Sequence, residues 1–438
     1  MSDRIAASLR AAFIAGAVLA MAAPACSAPN PSAVAAAAAR QRLAIFDYVW
    51  TEIRDKYYDP SLNGADWAAV RARYRPMVDG ARDDAAFHYL LRAAVSQLRD
   101  AHTKVLNARQ ARDREAEQST STGAILFEAE GQPVVFIVRP GSPAAEAGLQ
   151  PGMRVLSVNG VPISQALASA RAEVGLSSSD RGALVLSYLR LVAGAPGDLL
   201  HLGLARADGS AMTVDLPRRA HDSTPRFESR RLASGAGYVK FDRFAEPVAV
   251  RFRAALEGFR DAPGLIIDLR SNTGGDGKEG MRTIAPLLAE PLLVGRLATR
   301  TGKPPSALFG LVTLPLALSA GEAGGQLYAG PVVILTNEGT ASTSEVIAAS
   351  LQERGRAKIV GTRSCGCALG VLKYRKLKNG GALAISEIGL VSGLGRRIEG
   401  EGVVPDVPVA LKLADLQSGA DPAIEEAERL LAAMRGRP

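Results

Sequence analysis

The chain has 438 residues, 47% of them hydrophobic and 22% charged, with a formal net charge of +8. That length accommodates two or three domains and a large buried core. The arginines are scattered and no basic stripe with interleaved aromatics occurs, which argues for a solvated basic surface and against a nucleic-acid footprint.

Residues 1–25 read as a secretory signal: Arg4 and Arg10 precede the apolar run AAFIAGAVLAMAA, and small residues follow. The run is short for a bilayer span. Cleavage after Ala25 would leave Cys26 first, as a lipid-anchor cysteine or, since Pro24 sits badly in a lipobox, as the start of a soluble exported protein. The expected location is the periplasm or cell envelope. Residues 26–40, CSAPNPSAVAAAAAR, read as a flexible tether.

From 41 to 117 the pattern predicts a helical domain. Ile45, Val49 and Ile53 form a stripe at spacing four, and ADWAAVRARYRPMV and DDAAFHYLLRAAV each open on an Asp suited to capping. Residues 118–218 change to short strands and turns, with a hairpin through the Asp-Gly of DLLHLGLARADGSAMTVDLP. Residues 219–438 alternate strands and helices, the mark of an α/β core, while 295–328 reads as a flap or a surface insertion.

Two strand ends stand out. LIIDLRSNTGGDG closes a buried strand on Gly274 and Gly275, where backbone amides turn outward without a side chain in the way. ILTNEGTASTSEV opens a helix near Ser342, facing free N–H groups and the positive end of the helix dipole. Alone, a serine there is more often an N-cap, and the Gly-Gly turn is equally weak. With three cysteines, four histidines and no Cys-x-x-Cys or His-x-x-x-His spacing, neither a disulfide framework nor a metal cluster is expected, and no cofactor is called for.

Taken together, the motifs resemble the tail-specific, or C-terminal processing, serine peptidase family, whose core is shared with tricorn protease and the interphotoreceptor retinoid-binding protein modules. LRDAHTKVL is similar to its Asp-x-His-Thr segment, VVFIVRPGSPAAEAGLQPGMRVLSVNG to its PDZ domain, and GYVKFDRF and GLIIDLRSNTGG to its core strands. NEGTASTSEVIAASLQERGRAKIVG is similar to its serine segment, and RRIEGEGVVPDVPV to its closing strand. The resemblance implies a crotonase/Clp-protease-like α/β core with an N-terminal helical domain and an inserted PDZ domain. It implies a polypeptide substrate, a C-terminal tail or an unfolded segment. Ser342 would be the nucleophile, and the amides of Thr343 and of Gly274 or Gly275 the oxyanion hole. The loop at Gly123, Ala124, Ile125 and Leu126 would hold a peptide's terminal carboxylate. Met153 stands where the family usually has Asp.

One position departs from that pattern. Most of the family use a lysine 25 residues after the serine and a glutamine four further on; here these are Cys367 and Val371. A cysteine is a poor replacement base. The tricorn branch pairs serine with an upstream histidine, which implies His102, and with a carboxylate on a late strand, for which Glu387 is the expected residue. Cys365 and Cys367 carry three readings: small residues lining the site, a Cys-x-Cys disulfide open to redox control, or a nucleophile at Cys367. Lys358 and Lys373 lie on strands near the site; His88 reads as structural, and His201 and His221 lie outside the motifs. Besides the serine peptidase, a catalytically inactive peptide-binding pseudoprotease and a binder of small apolar ligands stay open.

Overall fold

A computed structural model describes residues 31–115, 119–221, 224–304, 306–307, 312–313 and 315–435. The expected signal and Cys26 lie outside these residues. The chain divides into two units, residues 1–38 and 39–438. The tether expected over 26–40 is helical in its described part, within the helix Pro31–Lys56. Its alanine run explains this, since alanine has the highest intrinsic helix propensity. Among the described residues no helix is long and apolar enough to cross a membrane.

The helical region follows the sequence pattern. Helices Trp67–Asp79 and Asp84–Val95 are capped by Asp66 and Asp83, whose carboxylates accept the amides of Ala69 and Ala86. Trp50 and Trp67 each donate an indole N–H to the other's carbonyl, at 2.8 and 3.0 Å. The stripe Ile45, Val49 and Ile53 packs with Phe87, Leu91 and Leu98 and reaches Leu383 and Ile385 of a later strand.

The second region is a six-stranded sheet whose main order is Ala124–Ala129, Gln132–Val138, Arg154–Val158, Leu199–Ala205 and Ala211–Pro217. The last two form the expected Asp-Gly hairpin. Two helices unforeseen from the sequence, Ile163–Val174 and Asp180–Val192, cover it, with Tyr188 and Leu191 packed on Leu126 and Val155.

The α/β core has two sheets. One runs Phe227–Arg231, Gly237–Phe241, Leu265–Asp268, Val332–Thr336, Lys358–Gly361, Val407–Pro408, parallel after its first pair. The other joins Lys104–Leu106, Leu292–Ala298, Ala317–Ala320 and Leu369–Lys376 around the long strand Ala382–Ser392. Within the stretch 295–328, then, two segments join this sheet, and Ser306–Ala307 pairs antiparallel with Val312–Thr313 in a separate two-stranded ribbon. The helix Thr343–Glu353 lies between the sheets, buried on every side from Thr343 to Leu351.

Candidate active site

Ser342 caps that helix at φ +58°, a region that non-glycine residues rarely occupy. The preceding strand Val332–Thr336 is wholly buried, and its turn is pinned from both sides. Thr340 Oγ1 donates to the Leu269 carbonyl at 2.8 Å, and Ala341 N–H to that of Asn272 at 3.0 Å. Asn272, fully buried, orders both junctions: its side-chain oxygen accepts from Gly274 N–H at 3.0 Å and from Ser344 Oγ at 2.8 Å. Ser344 is thereby committed to structure, and Ser342 is the half-buried hydroxyl of the pair.

Gly274 lies directly against the serine: a Cβ there would fall 2.7 Å from Ser342 Cβ and 2.9 Å from Thr343 N. Its own amide is held by Asn272. Among the described residues the amides of Gly275 and Thr343 donate to no acceptor, and Thr343 Oγ1 ties them together through the Gly275 carbonyl at 2.8 Å. The Gly-Gly turn therefore presents the second glycine, with Thr343, as a pair of free donors beside the hydroxyl.

Sequence reasoning missed Glu345. Its buried carboxylate accepts from Ser342 N–H at 3.0 Å, Ser364 Oγ at 2.5 Å, Gly366 N–H at 2.6 Å and Cys367 N–H at 2.9 Å. Burial pushes the Glu345 carboxyl up, and the four donors oppose that shift. Cys365 and Cys367 form a disulfide. Cys367 Sγ is thus bonded and serves neither as a base nor as a nucleophile in this form. Neither Lys358 nor Lys373 replaces it: Lys358 is paired with Asp406 at 2.9 Å, and Lys373 is exposed.

His102 lies on the turn after Leu98, held by Asp100, which accepts the His102 N–H at 2.7 Å and the Thr103 hydroxyl. Thr103 Oγ1 accepts from Ser386 N–H at 2.9 Å, fixing this turn to the second sheet. Burial lowers the His102 pKa, Asp100 raises it and Lys104 lowers it. Its Nδ1 is buried without a partner. Among the described residues no hydrogen bond joins His102 to Ser342.

Glu387 is not available to this turn. It pairs with Arg375 at 2.7 Å, and Arg375 also binds Glu52 at 2.9 Å. Arg375 stands opposite Leu383 in the ladder, and its ion pair draws Glu387 to the face of Leu383 and Ile385, which the helical region covers. A second buried carboxyl, Glu399, lies where the Asp100 charge acts on it. It accepts from Ala368 N–H at 2.6 Å and bonds Ser178, whose hydroxyl accepts from Ala101 N–H at 3.0 Å. Burial and the nearby Asp100 charge push Glu399 up to about 8. Its Oε1 is buried without a partner, like His102 Nδ1, Tyr57 Oη and Ser386 Oγ. Tyr57 and Glu399 both feel the Asp100 charge and Ser386 bonds Thr103, so these three residues lie about the turn that carries His102.

The first turn of Asp180–Val192 docks on the same loops. Arg181 donates to the carbonyls of Ser364 and Glu401, both at 2.9 Å, and Ser179 Oγ to that of Cys365. Gly123 takes φ +82° against Ser142, and its amide donates to Ser121 Oγ at 2.9 Å. Ala124 N–H donates to Thr122 Oγ1, so these two amides are already engaged. Ala124 and Leu126 are buried, while Ile125 lines a cavity of about 340 Å³ with Ile137, Arg139 and Lys240. Among the described residues the strand Ala124–Ala129 pairs on one edge only. His88 is held near 4 by burial, and His201 pairs with Asp215.

Residues 235–409 match peptidase family S41, 38–96 the tricorn protease C1 domain and 137–173 a PDZ domain. A tricorn protease homolog of Streptomyces coelicolor is 26% identical over 412 residues, covering 88% of this chain but only 32% of that protein. The chloroplastic carboxyl-terminal-processing peptidase 3 of Arabidopsis thaliana is 27% identical over 381 residues, covering 84% of this chain and 68% of that one. The photosystem II D1 C-terminal processing protease superposes with a TM-score of 0.58 at 23% identity, covering 89% of this chain and 97% of that one, which shows a common fold.

Proposed function

Residues 235–409 make this chain a member of peptidase family S41, serine-type hydrolases, and from that premise we propose that it cleaves polypeptides with Ser342 as nucleophile and His102 as base. Ser342 Oγ attacks the scissile carbonyl while His102 takes its proton. The oxyanion is held by the amides of Gly275 and Thr343, and the imidazolium then protonates the departing amine. Water, activated by the same imidazole, releases the acyl group. Glu399, in place of Glu387, is the carboxyl we assign to His102: its unpartnered Oε1 is an acceptor for Nδ1–H. The observation that carries this reading is the pair of unengaged amides flanking a serine at φ +58°. A chain that had lost catalysis has no need of such free donors.

The PDZ domain gates the site in this reading. A peptide tail adds to the open edge of Ala124–Ala129, and the helix that begins at Asp180 shifts on the loops it now touches. Release of Ser178 from Glu399 then frees that carboxyl to meet His102. The disulfide supports an oxidising compartment, in keeping with export to the periplasm or cell envelope.

Fluorophosphonate labelling tests the assignment. The unsubstituted protein should label, and both Ser342→Ala and His102→Ala should lose labelling by about a thousandfold or more. Undiminished labelling of His102→Ala overturns the dyad. No labelling of the unsubstituted protein, with or without a peptide bound, favours the peptide-binding pseudoprotease.

A further inference from the structure

The loop Ser364–Cys367 is built around the nucleophile turn. Ser364 Oγ and the amides of Gly366 and Cys367 converge on Glu345, while Cys365 N–H donates to the Thr340 carbonyl at 3.0 Å. The Cys367 carbonyl accepts Ser342 N–H at 2.9 Å. So the residue after the disulfide's glycine touches both the serine's own backbone and the carboxylate that steadies it. Gly366 stands between the cysteines at φ +74°, where a glycine has most freedom to lose. A covalent link across that glycine removes the freedom on both sides of it.

Both cysteines are buried, at 5% and 3% exposure. Their cover is the first turn of Asp180–Val192. A Cβ on Gly182 would lie 2.8 Å from Cys367 Sγ and 3.1 Å from Cys365 Sγ. The helix that covers the sulfurs is the one whose Arg181 and Ser179 hold the same loop.

We propose that the Cys365–Cys367 disulfide is a redox-sensitive positioning clamp for Ser342. Oxidised, it holds the loop that orients the serine backbone and Glu345. Reduced, the loop relaxes and acylation slows. The reductant is a dithiol. One of its thiolates attacks a cysteine sulfur, the S–S bond breaks and the other cysteine leaves as a thiolate that takes a proton. The second thiol resolves the mixed disulfide. The protein gains two electrons and two protons, and the dithiol becomes a disulfide. Cys365 and Cys367 act through the loop and touch no substrate, so they are positioning residues.

The clamp rests on Ser342 as nucleophile, and the experiment separates the two. In a Cys26→Ala background, the fluorophosphonate labelling rate is measured for the oxidised protein, for the dithiothreitol-reduced protein with both thiols counted by mass after maleimide tagging, and for Cys365→Ala/Cys367→Ala. Steady-state kcat and KM on a peptide accompany it. The reduced protein and the double variant should label about tenfold more slowly, with kcat falling and KM within about twofold. Reoxidation should restore the reduced protein and leave the variant slow. Equal labelling by the oxidised protein and by either fully reduced protein or a folded double variant overturns the clamp alone. No labelling of the oxidised protein overturns the nucleophile assignment and the clamp with it. If the double variant fails to fold, the reduced protein decides; a bond that resists dithiothreitol in the folded protein overturns the clamp as a redox-sensitive device.

Discussion

Glu399 keeps its proton into the neutral range because it is buried beside Asp100 with one oxygen unpartnered. A carboxyl raised from 4.5 to about 8 binds a proton in the folded state that the unfolded chain has given up, so its contribution to stability falls as pH rises through that window. His88, held near 4, works in the opposite direction, but only below its ordinary value of 6.5. Glu345, also pushed up by burial, acts in the same direction, so the Glu399 share is the part of the slope that its substitution removes. Between pH 6.5 and 8 that share should lower stability by about 2 kcal/mol at most, and Glu399→Gln should flatten the slope, read from urea midpoints at each pH. A second residue-scale prediction concerns Gly274, where a side chain meets Ser342 at 2.7 Å and φ is +87°. Gly274→Ala should cut kcat by about a hundredfold, measured on a peptide substrate. The serine and the glycine pair were legible because the turn chemistry is local. Glu399 was not distinguishable from Glu387, since both are acidic residues on late segments. Only the strand pairing that sets Arg375 beside Glu387, and the fold that returns Glu399 to Ala368, separates them.

At the scale of elements, the caps at Asp66 and Asp83, the Asp-Gly hairpin and the buried strands of the parallel sheet follow from local signals. The helices Ile163–Val174 and Asp180–Val192 were missed, as was the partnership of Leu292–Ala298 with Ala382–Ser392. Those helices bury few residues each, so their apolar stripes are thin, and the strand pairing spans nearly a hundred residues that carry no local trace of it. Yet Asp180–Val192 is the element that touches the disulfide loop. The open edge of Ala124–Ala129 belongs to the same region. Ile125 faces an apolar and basic cavity there, so Ile125→Asp should raise the KM for peptides with apolar tails about tenfold, by steady-state kinetics.

For the molecule as a whole, the proposed base His102 and the nucleophile Ser342 come from separate regions of the sequence, the helical region and the α/β core. The strand Lys104–Leu106 pairs with Ala382–Ala384, and Val105 joins the helical core to Leu383 and Ile385. That docking is what sets His102 within the α/β unit. The sequence pattern implied the α/β class and the three regions through their motifs. How the helical region locks onto the second sheet depends on contacts between residues some 280 positions apart, as in Thr103 with Ser386, and no local pattern encodes it. The disulfide at the position of the family's lysine makes the identity of the base the point on which the account turns.

The pH dependence of fluorophosphonate labelling at Ser342 tests that point most directly. Burial lowers the His102 pKa, so the account predicts a single acid limb with its midpoint below 6.5, the rate falling as imidazole protonates, and no such limb in His102→Gln. A rate that is flat from about pH 5 to 9, or a limb that persists unchanged in His102→Gln, would contradict it.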